Sequence, residues 1–170
     1  ENVTISRGTF AKETTIVGNN NLLMENMHIA HDCIVGSNCI IGNSTKFAGE
    51  VTIDDNAIIS AAVLTHQFCH IGSLVMIQGG CRFSQDIPPY IIAGGKPVGY
   101  NGPNNTMMTT NGIEEKVQKH VANAYRLVFH GQNSVFDAVL QINDQVPDSP
   151  EIRKIVDFIN STKLGIISKM

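Results

Sequence analysis

The sequence predicts a mainly β protein: a parallel β-helix built from hexapeptide repeats, followed by a small C-terminal α-helical domain. Three observations carry that prediction. Bulky apolar residues recur every six positions from Val17 to Phe83. The residue after each is usually small. The period then ends at a Gly/Pro/Asn-rich stretch, beyond which apolar residues fall at helical spacing.

Counting in sixes gives Val17, Leu23, Ile29, Val35, Ile41, Phe47, Ile53, Ile59, Thr65, Ile71, Ile77 and Phe83, with Thr65 the single departure from bulky apolar character. Position four after each is mostly small or medium and apolar, including Cys33, Cys39, Val51, Ala57, Val63, Cys69, Val75 and Cys81. Six is neither the helical period nor the period of a plain strand. It describes a short strand, a turn and the same again, with one aliphatic side chain per face pointing inward. Three such faces close a triangular coil, and coils stack as a quasi-one-dimensional solenoid. Small neighbours such as Gly18, Gly36, Gly42 and Gly72 leave room for each corner. On this register the four cysteines are small inward-facing hydrophobes.

The solenoid is expected over residues 1–92, a connecting loop over 93–111 and a helical domain over 112–170. The loop assignment rests on Ala93-Gly-Gly-Lys-Pro-Val-Gly-Tyr-Asn-Gly-Pro-Asn-Asn105. In the helical domain Ile113, Val117, Val121, Ala124, Tyr125 and Val128 share a face, with Asn111 placed as cap. A second helix is expected after Ser134, with Val135, Val139 and Ile142 on one side. Ser149-Pro150 offers an N-cap and an N1 proline for a third, through about Ser161.

Bulk properties narrow the function classes. A net charge of −3 with no run of like charges argues against nucleic-acid binding through a basic face. No segment approaches the apolar length of a transmembrane helix, and the N-terminus has no signal-peptide pattern. A chain that opens without Met inside a strand-like pattern reads as a fragment of a longer solenoid. None of the four cysteines forms a CxxC pair, which removes zinc-ribbon and thioredoxin-type sites. Unpaired thiols fit a reducing compartment, so a cytoplasmic location is expected.

Asn26-Met-His-Ile-Ala-His-Asp-Cys33 carries the candidate chemistry. Ile29 and Cys33 take inward slots, leaving His28, His31 and Asp32 to face outward. Residues one coil apart stack about 4.8 Å from each other. His31 therefore lies beside Gly49 with Gln67 one coil further on, and Asp32 beside Glu50 and Phe68. His66 stacks over Ala48 and Ala30. Three histidines on one flank, with Asp and Gln beside them, are more than solvated side chains scattered by chance. A metal site is the weaker chemical reading, because His28 and His31 at i, i+3 on a strand-and-turn path do not naturally converge on one ion. General-base catalysis fits better, since imidazole accepts a proton near neutral pH. Asp32 would orient the ring, and the Gly49 N–H would meet a developing oxyanion. That constellation suits acyl transfer to a hydroxyl. His70, His120 and His130 are expected to be surface or packing residues.

Asn21-Leu-Leu-Met-Glu-Asn-Met-His-Ile-Ala-His-Asp-Cys33, Thr65-His-Gln-Phe-Cys69, Gln85-Asp-Ile-Pro-Pro-Tyr90 and Asn123-Ala-Tyr-Arg-Leu127 together resemble one branch of the hexapeptide acyltransferases. That branch is the family of acyl-carrier-protein–UDP-N-acetylglucosamine O-acyltransferases. The resemblance runs along essentially the whole chain. It implies a left-handed coil, where the general crossover rule would have indicated the right-handed one. It also implies a homotrimer with active sites between subunits, and catalysis of the first step of lipid A synthesis. By motif, His31 matches the general base, Asp32 its partner and Gly49 the oxyanion donor. His28, His66, Gln67 and Asn104 match substrate-contacting positions, and Glu50 stands where some relatives carry a histidine near the substrate. Gly79 matches the position that measures acyl-chain length, with Met76, Ile58 and Ala61 lining the same groove. Ser6 takes the place of another histidine, and Thr110-Asn111 the place of consecutive arginines. The implied partners are UDP-N-acetylglucosamine and acyl carrier protein bearing a 3-hydroxyacyl chain, with no cofactor and no metal. Relatives extend further at the N-terminus by several coils. The alternatives are the N-acyltransferase acting later in the same pathway, a trimeric β-helix zinc lyase and a non-catalytic scaffold.

Overall fold

The computed structural model describes residues 1–131 and 134–169. Thirteen two-residue strands, β1 to β13, run from Thr4–Ile5 to Arg82–Phe83 and wind around three flat faces. Face A holds β1 (Thr4–Ile5), β4 (His28–Ile29), β7 (Lys46–Phe47), β10 (Leu64–Thr65) and β13 (Arg82–Phe83). On face B lie β2 (Ile16–Val17), β5 (Ile34–Val35), β8 (Thr52–Ile53) and β11 (His70–Ile71). Face C carries β3 (Leu22–Leu23), β6 (Ile40–Ile41), β9 (Ile58–Ile59) and β12 (Met76–Ile77). Every pairing within a face is parallel, and His28 opposite Lys46 opposite Leu64 gives the eighteen-residue coil.

The second residue of each strand from β4 onward is buried, as are Cys33, Cys39, Val51, Ala57, Val63, Cys69, Val75 and Cys81. Each face therefore presents two inward columns, and no charged group among the described residues enters them. Burial pushes the Cys69 thiol up to about 12 and raises the other three thiols as well. Thr65 sits in an Ile slot with its hydroxyl buried and unbonded. The small residues after each slot are required by coil stacking: a Cβ at Gly42 would lie 2.5 Å from the Ala61 nitrogen in the next coil.

A second six-residue period underlies the corners. Residues 20, 26, 32, 38, 44, 50, 56, 62, 68, 74 and 80 all adopt φ between 56° and 71°. The left-handed conformation reverses the chain in one residue. Asn20, Asn26, Asp32, Asn38, Asn56 and Gly80 are residue types that tolerate it. The hexad pattern assigns the corners to the small residues; in the structure the left-handed residue three places after each inward slot turns them.

One irregularity interrupts the winding. His28 lies eighteen residues from its partner Lys46 but twenty-four from its partner Thr4. Six extra residues between β1 and β2 thus leave the coil as a loop projecting from the edge between faces A and B.

Beyond β13 the expected connecting loop over 93–111 is largely structured. β14 (Ile91–Gly94) extends face C, and β15 (Gly99–Pro103) folds back on it antiparallel. The glycines and prolines that suggested a loop supply the tight turn of this hairpin. A short helix follows, α1 (Asn105–Thr110), capped by the Asn104 side chain accepting from the Met107 N–H. Asn111 ends α1 and does not cap the next helix, which starts at Glu115 after an uncapped Glu114. That helix is α2 (Glu115–His130). α3 (Val135–Gln145) and α4 (Pro150–Ser161) begin as expected, with Ser134 accepting from the Asp137 N–H and Ser149 from the Ile152 N–H.

The helices close the end of the solenoid. The buried Tyr125 of α2 donates its hydroxyl hydrogen to the Pro89 carbonyl, and Tyr100 stacks on Phe129 at 4.3 Å. Asp86, buried at the last corner, accepts from the His70 N–H and from the Thr162 hydroxyl. The terminal coil would otherwise offer an open edge of unpaired amides. β16 (Ser168–Lys169), paired with β15, completes the cover.

Candidate active site

The edge between faces A and B gathers His31, Asp32, Gly49, Glu50 and Gln67 from three successive coils. Stacking is direct: the Glu50 N–H donates to the His31 carbonyl at 3.0 Å, and the Phe68 N–H to the Gly49 carbonyl at 3.2 Å. His31 leans across the coil boundary toward Gly49. A Cβ at position 49 would lie 2.4 Å from His31 Cε1 and 2.6 Å from Nε2. Only a residue without a side chain lets the ring lie there. The N–H of Gly49 has no hydrogen-bond partner among the described residues.

Asp32 departs from expectation. Its hexad position faces outward, yet it is fully buried. The loop inserted between β1 and β2 covers it, which a strict six-residue register cannot anticipate. The Thr9 N–H donates to Asp32 Oδ1 at 2.9 Å, and the Thr9 hydroxyl donates to Oδ2. Thr15 Oγ1 accepts from the Asp32 N–H at 2.9 Å. His31 Nδ1 lies 2.9 Å from Asp32 Oδ2. The hydrogen bond from the Thr9 hydroxyl, opposed by desolvation and helped by the one from His31, pulls the Asp32 carboxyl down to about 2. An ionised Asp32 only accepts, so His31 donates from Nδ1 and, when neutral, keeps its free lone pair on Nε2. Nε2 is unbonded among the described residues, and the ring is half-exposed.

Thr9 and Thr15 were not among the residues singled out from the sequence. The signal for them was the extra hexad length between Ile5 and Val17, ahead of where the count of sixes starts.

Apart from Glu50, the remaining candidates fall elsewhere on the prism. His28 and His66 lie on face A beside the dyad's edge, and His66 lines a cavity of about 710 Å³ with Leu64, Arg82 and Ser84. Glu50 lines a smaller cavity of about 310 Å³ with Lys12, His70 and Lys163, and its carboxylate lies 4.0 Å from Lys12 Nζ. Met76 and Ile58 are paired on face C, and Gly79 and Ala61 adjoin at the edge between faces C and A, where the Gly80 N–H donates to the Ala61 carbonyl. Asn104 is at the edge between faces B and C. Its side chain donates to the Leu74 carbonyl at 3.0 Å and caps α1, so both ends of its buried amide are engaged within the chain. A single chain thus does not bring the groove residues or Asn104 to His31. Of the other histidines, His70 packs on Phe158 and bonds Asp54 at 2.9 Å.

No group of three or more His, Cys, Asp or Glu side chains converges among the described residues. No helix among them is long and apolar enough to cross a membrane.

Residues 86–167 match the profile described as UDP N-acetylglucosamine O-acyltransferase, domain 2, and residues 14–49 match bacterial transferase hexapeptide repeats. Along 98% of its length the chain is 39% identical to the acyl-(acyl-carrier-protein)–UDP-N-acetylglucosamine O-acyltransferase of Aliivibrio salmonicida. The chain belongs to the UDP-N-acetylglucosamine O-acyltransferase family. It spans 64% of the length of that relative. Two solved family structures superimpose closely. The UDP-N-acetylglucosamine acyltransferase of Bacteroides fragilis is 56% identical with a TM-score of 0.91, covering 94% of this chain and 63% of its own. Its counterpart in Acinetobacter baumannii is 36% identical with a TM-score of 0.94, covering 98% of this chain and 66% of its own.

Proposed function

We propose that this chain moves an (R)-3-hydroxyacyl group from acyl carrier protein to the 3-hydroxyl of UDP-N-acetylglucosamine, the first step of lipid A synthesis. One observation carries the reading: His31 is held at Nδ1 by an ionised, buried Asp32 while its Nε2 stands open beside the unbonded N–H of Gly49.

Nε2 takes the proton of the sugar 3-hydroxyl as its oxygen attacks the thioester carbonyl. The Asp32 carboxylate stabilises the imidazolium that forms. The Gly49 N–H faces the charge that develops on the carbonyl oxygen. When the tetrahedral intermediate collapses, the carbon–sulfur bond breaks and the proton on Nε2 passes to the departing thiolate. The products are the acylated sugar and the free carrier thiol.

His28, His66 and Gln67, flanking the dyad, are proposed to hold the nucleotide sugar, with Glu50 at the rim. Asn104 would act indirectly, through its cap on α1. Gly79, Met76, Ile58 and Ala61 are proposed to line the acyl groove. Because they lie across a whole face from His31, the groove that His31 serves would come from a neighbouring copy, which supports a homotrimer with intersubunit sites. The exposed apolar column Leu22, Ile40 and Met76 on face C supports the same arrangement.

Replacing His31 with Ala in the intact protein tests the assignment. Transfer should be abolished with the fold unchanged, and near-normal turnover would sink it. Offering UDP-N-acetylglucosamine against its 3-O-acylated amine separates this activity from that of the related N-acyltransferase.

A further inference from the structure

We propose that Thr9 is a positioning residue for the His31–Asp32 pair, acting through Asp32. The inference rests on the acyl-transfer reading above.

Asp32 is fully buried and turns a corner at φ 60°. A carboxylate in such a place needs donors to stay charged, and needs a fixed orientation to serve one neighbour. The inserted loop supplies both. Thr9 spans the carboxylate, with its backbone N–H on Oδ1 and its hydroxyl on Oδ2. Oδ2 is the oxygen that faces His31 Nδ1. Thr15 fixes the Asp32 backbone from the far end of the same loop. Two rotational freedoms of the Asp32 side chain are thereby removed by one residue.

The donor type matters. A lysine or arginine here would neutralise Asp32 and weaken its hold on the imidazolium. A hydroxyl and an amide N–H are neutral, so they stabilise the charge without cancelling it. The full positive charge that forms on His31 during transfer then has an ionised, aimed partner. The surrounding loop is largely solvent-exposed, with Phe10 entirely so. Thr9 therefore makes its directed contact with the dyad from a segment that contributes little to the core.

Thr9→Val keeps the shape and the backbone N–H and removes the hydroxyl. In the intact protein kcat should fall about 10- to 100-fold, by analogy with the loss of a hydrogen-bonded partner that orients a metal-ligating histidine. KM for the nucleotide sugar should stay within about twofold of wild type. Thr9→Ser should restore the rate. In an Asp32→Asn background Thr9→Val should cause no further loss, because the residue through which it acts is gone. A kcat for Thr9→Val equal to wild type, or losses that multiply in the double variant, would overturn the proposal. An activity-free measurement runs alongside: the low-field proton resonance of His31 Nδ1–H. It should be present in wild type, shifted or lost in Thr9→Val, and restored in Thr9→Ser. An unchanged resonance overturns the positioning role. Loss of the resonance in a protein whose wild type shows no transfer strikes the acyl-transfer reading alone.

Discussion

The imidazole of His31 occupies the space that a side chain at Gly49 would need. The closest approach, 2.4 Å from the would-be Cβ to Cε1, is one that real contacts do not tolerate. The missing side chain at position 49 admits the ring, and the Gly49 N–H beside it has no partner among the described residues.

Gly49→Ala should therefore displace His31 and leave the coil paired through Glu50 and Phe68. A fall in kcat of about 100-fold or more, with little change in thermal stability, is the expected outcome, comparable to losing an oxyanion donor. Steady-state kinetics and circular dichroism on the same preparation check it. Unaltered kcat would mean that the ring position observed here is not the working one.

Asp32 links the candidate site to acid stability. Its carboxyl is lowered from the ordinary 3.8 to about 2 in the folded chain, so the unfolded chain takes up this proton first as pH falls. The stabilisation is complete above about pH 4 and is lost as pH falls through about 2. Asp32→Asn should remove that component. The difference in melting temperature between wild type and variant should hold steady above pH 4 and shrink toward pH 2. A constant difference down to pH 2 would contradict the assignment.

Gly79 sits in the open. The nearest atom to an added Cβ is the Ala61 carbonyl oxygen at 3.2 Å, so a side chain fits with a small adjustment and projects outward. Gly79→Met should leave folding intact and shift donor preference toward shorter acyl chains. A donor-length series measures it, and an unchanged preference removes Gly79 from the groove.

Thr65 carries a buried hydroxyl with no partner among the described residues, in a column otherwise filled by hydrocarbon. Thr65→Val replaces that hydroxyl with a methyl of similar shape. Relieving an unsatisfied buried polar group should stabilise the chain by about 1 kcal/mol. Urea unfolding gives the value, and a loss of stability would show that the hydroxyl has a partner in solution.

Much of this molecule is written in short-range pattern. Each coil of a β-helix repeats the same environment, so Ile29, Cys33, Ile41 and Val51 announce their burial by spacing alone. His31 and Gly49 become neighbours by arithmetic once the coil length is known. The Asn and Asp residues at the corners carried a further legible signal, three places after each inward slot. The caps Ser134 and Ser149 were equally local.

What spacing could not supply came from places where the repeat is broken. Asp32 has an outward-facing position yet lies buried, because six inserted residues from the preceding coil fold over it. Asn104 matches a substrate-contacting position by resemblance, while tertiary packing commits its amide to Leu74 and α1. The glycines and prolines of 93–111 read as a loop, yet β14 extends face C and β15 folds back on it as a hairpin. A periodic sequence determines the scaffold because each residue's environment is repeated by its near neighbours. Only the folded chain decides which of the outward residues are covered, aimed and charged, because those contacts join segments that no period relates.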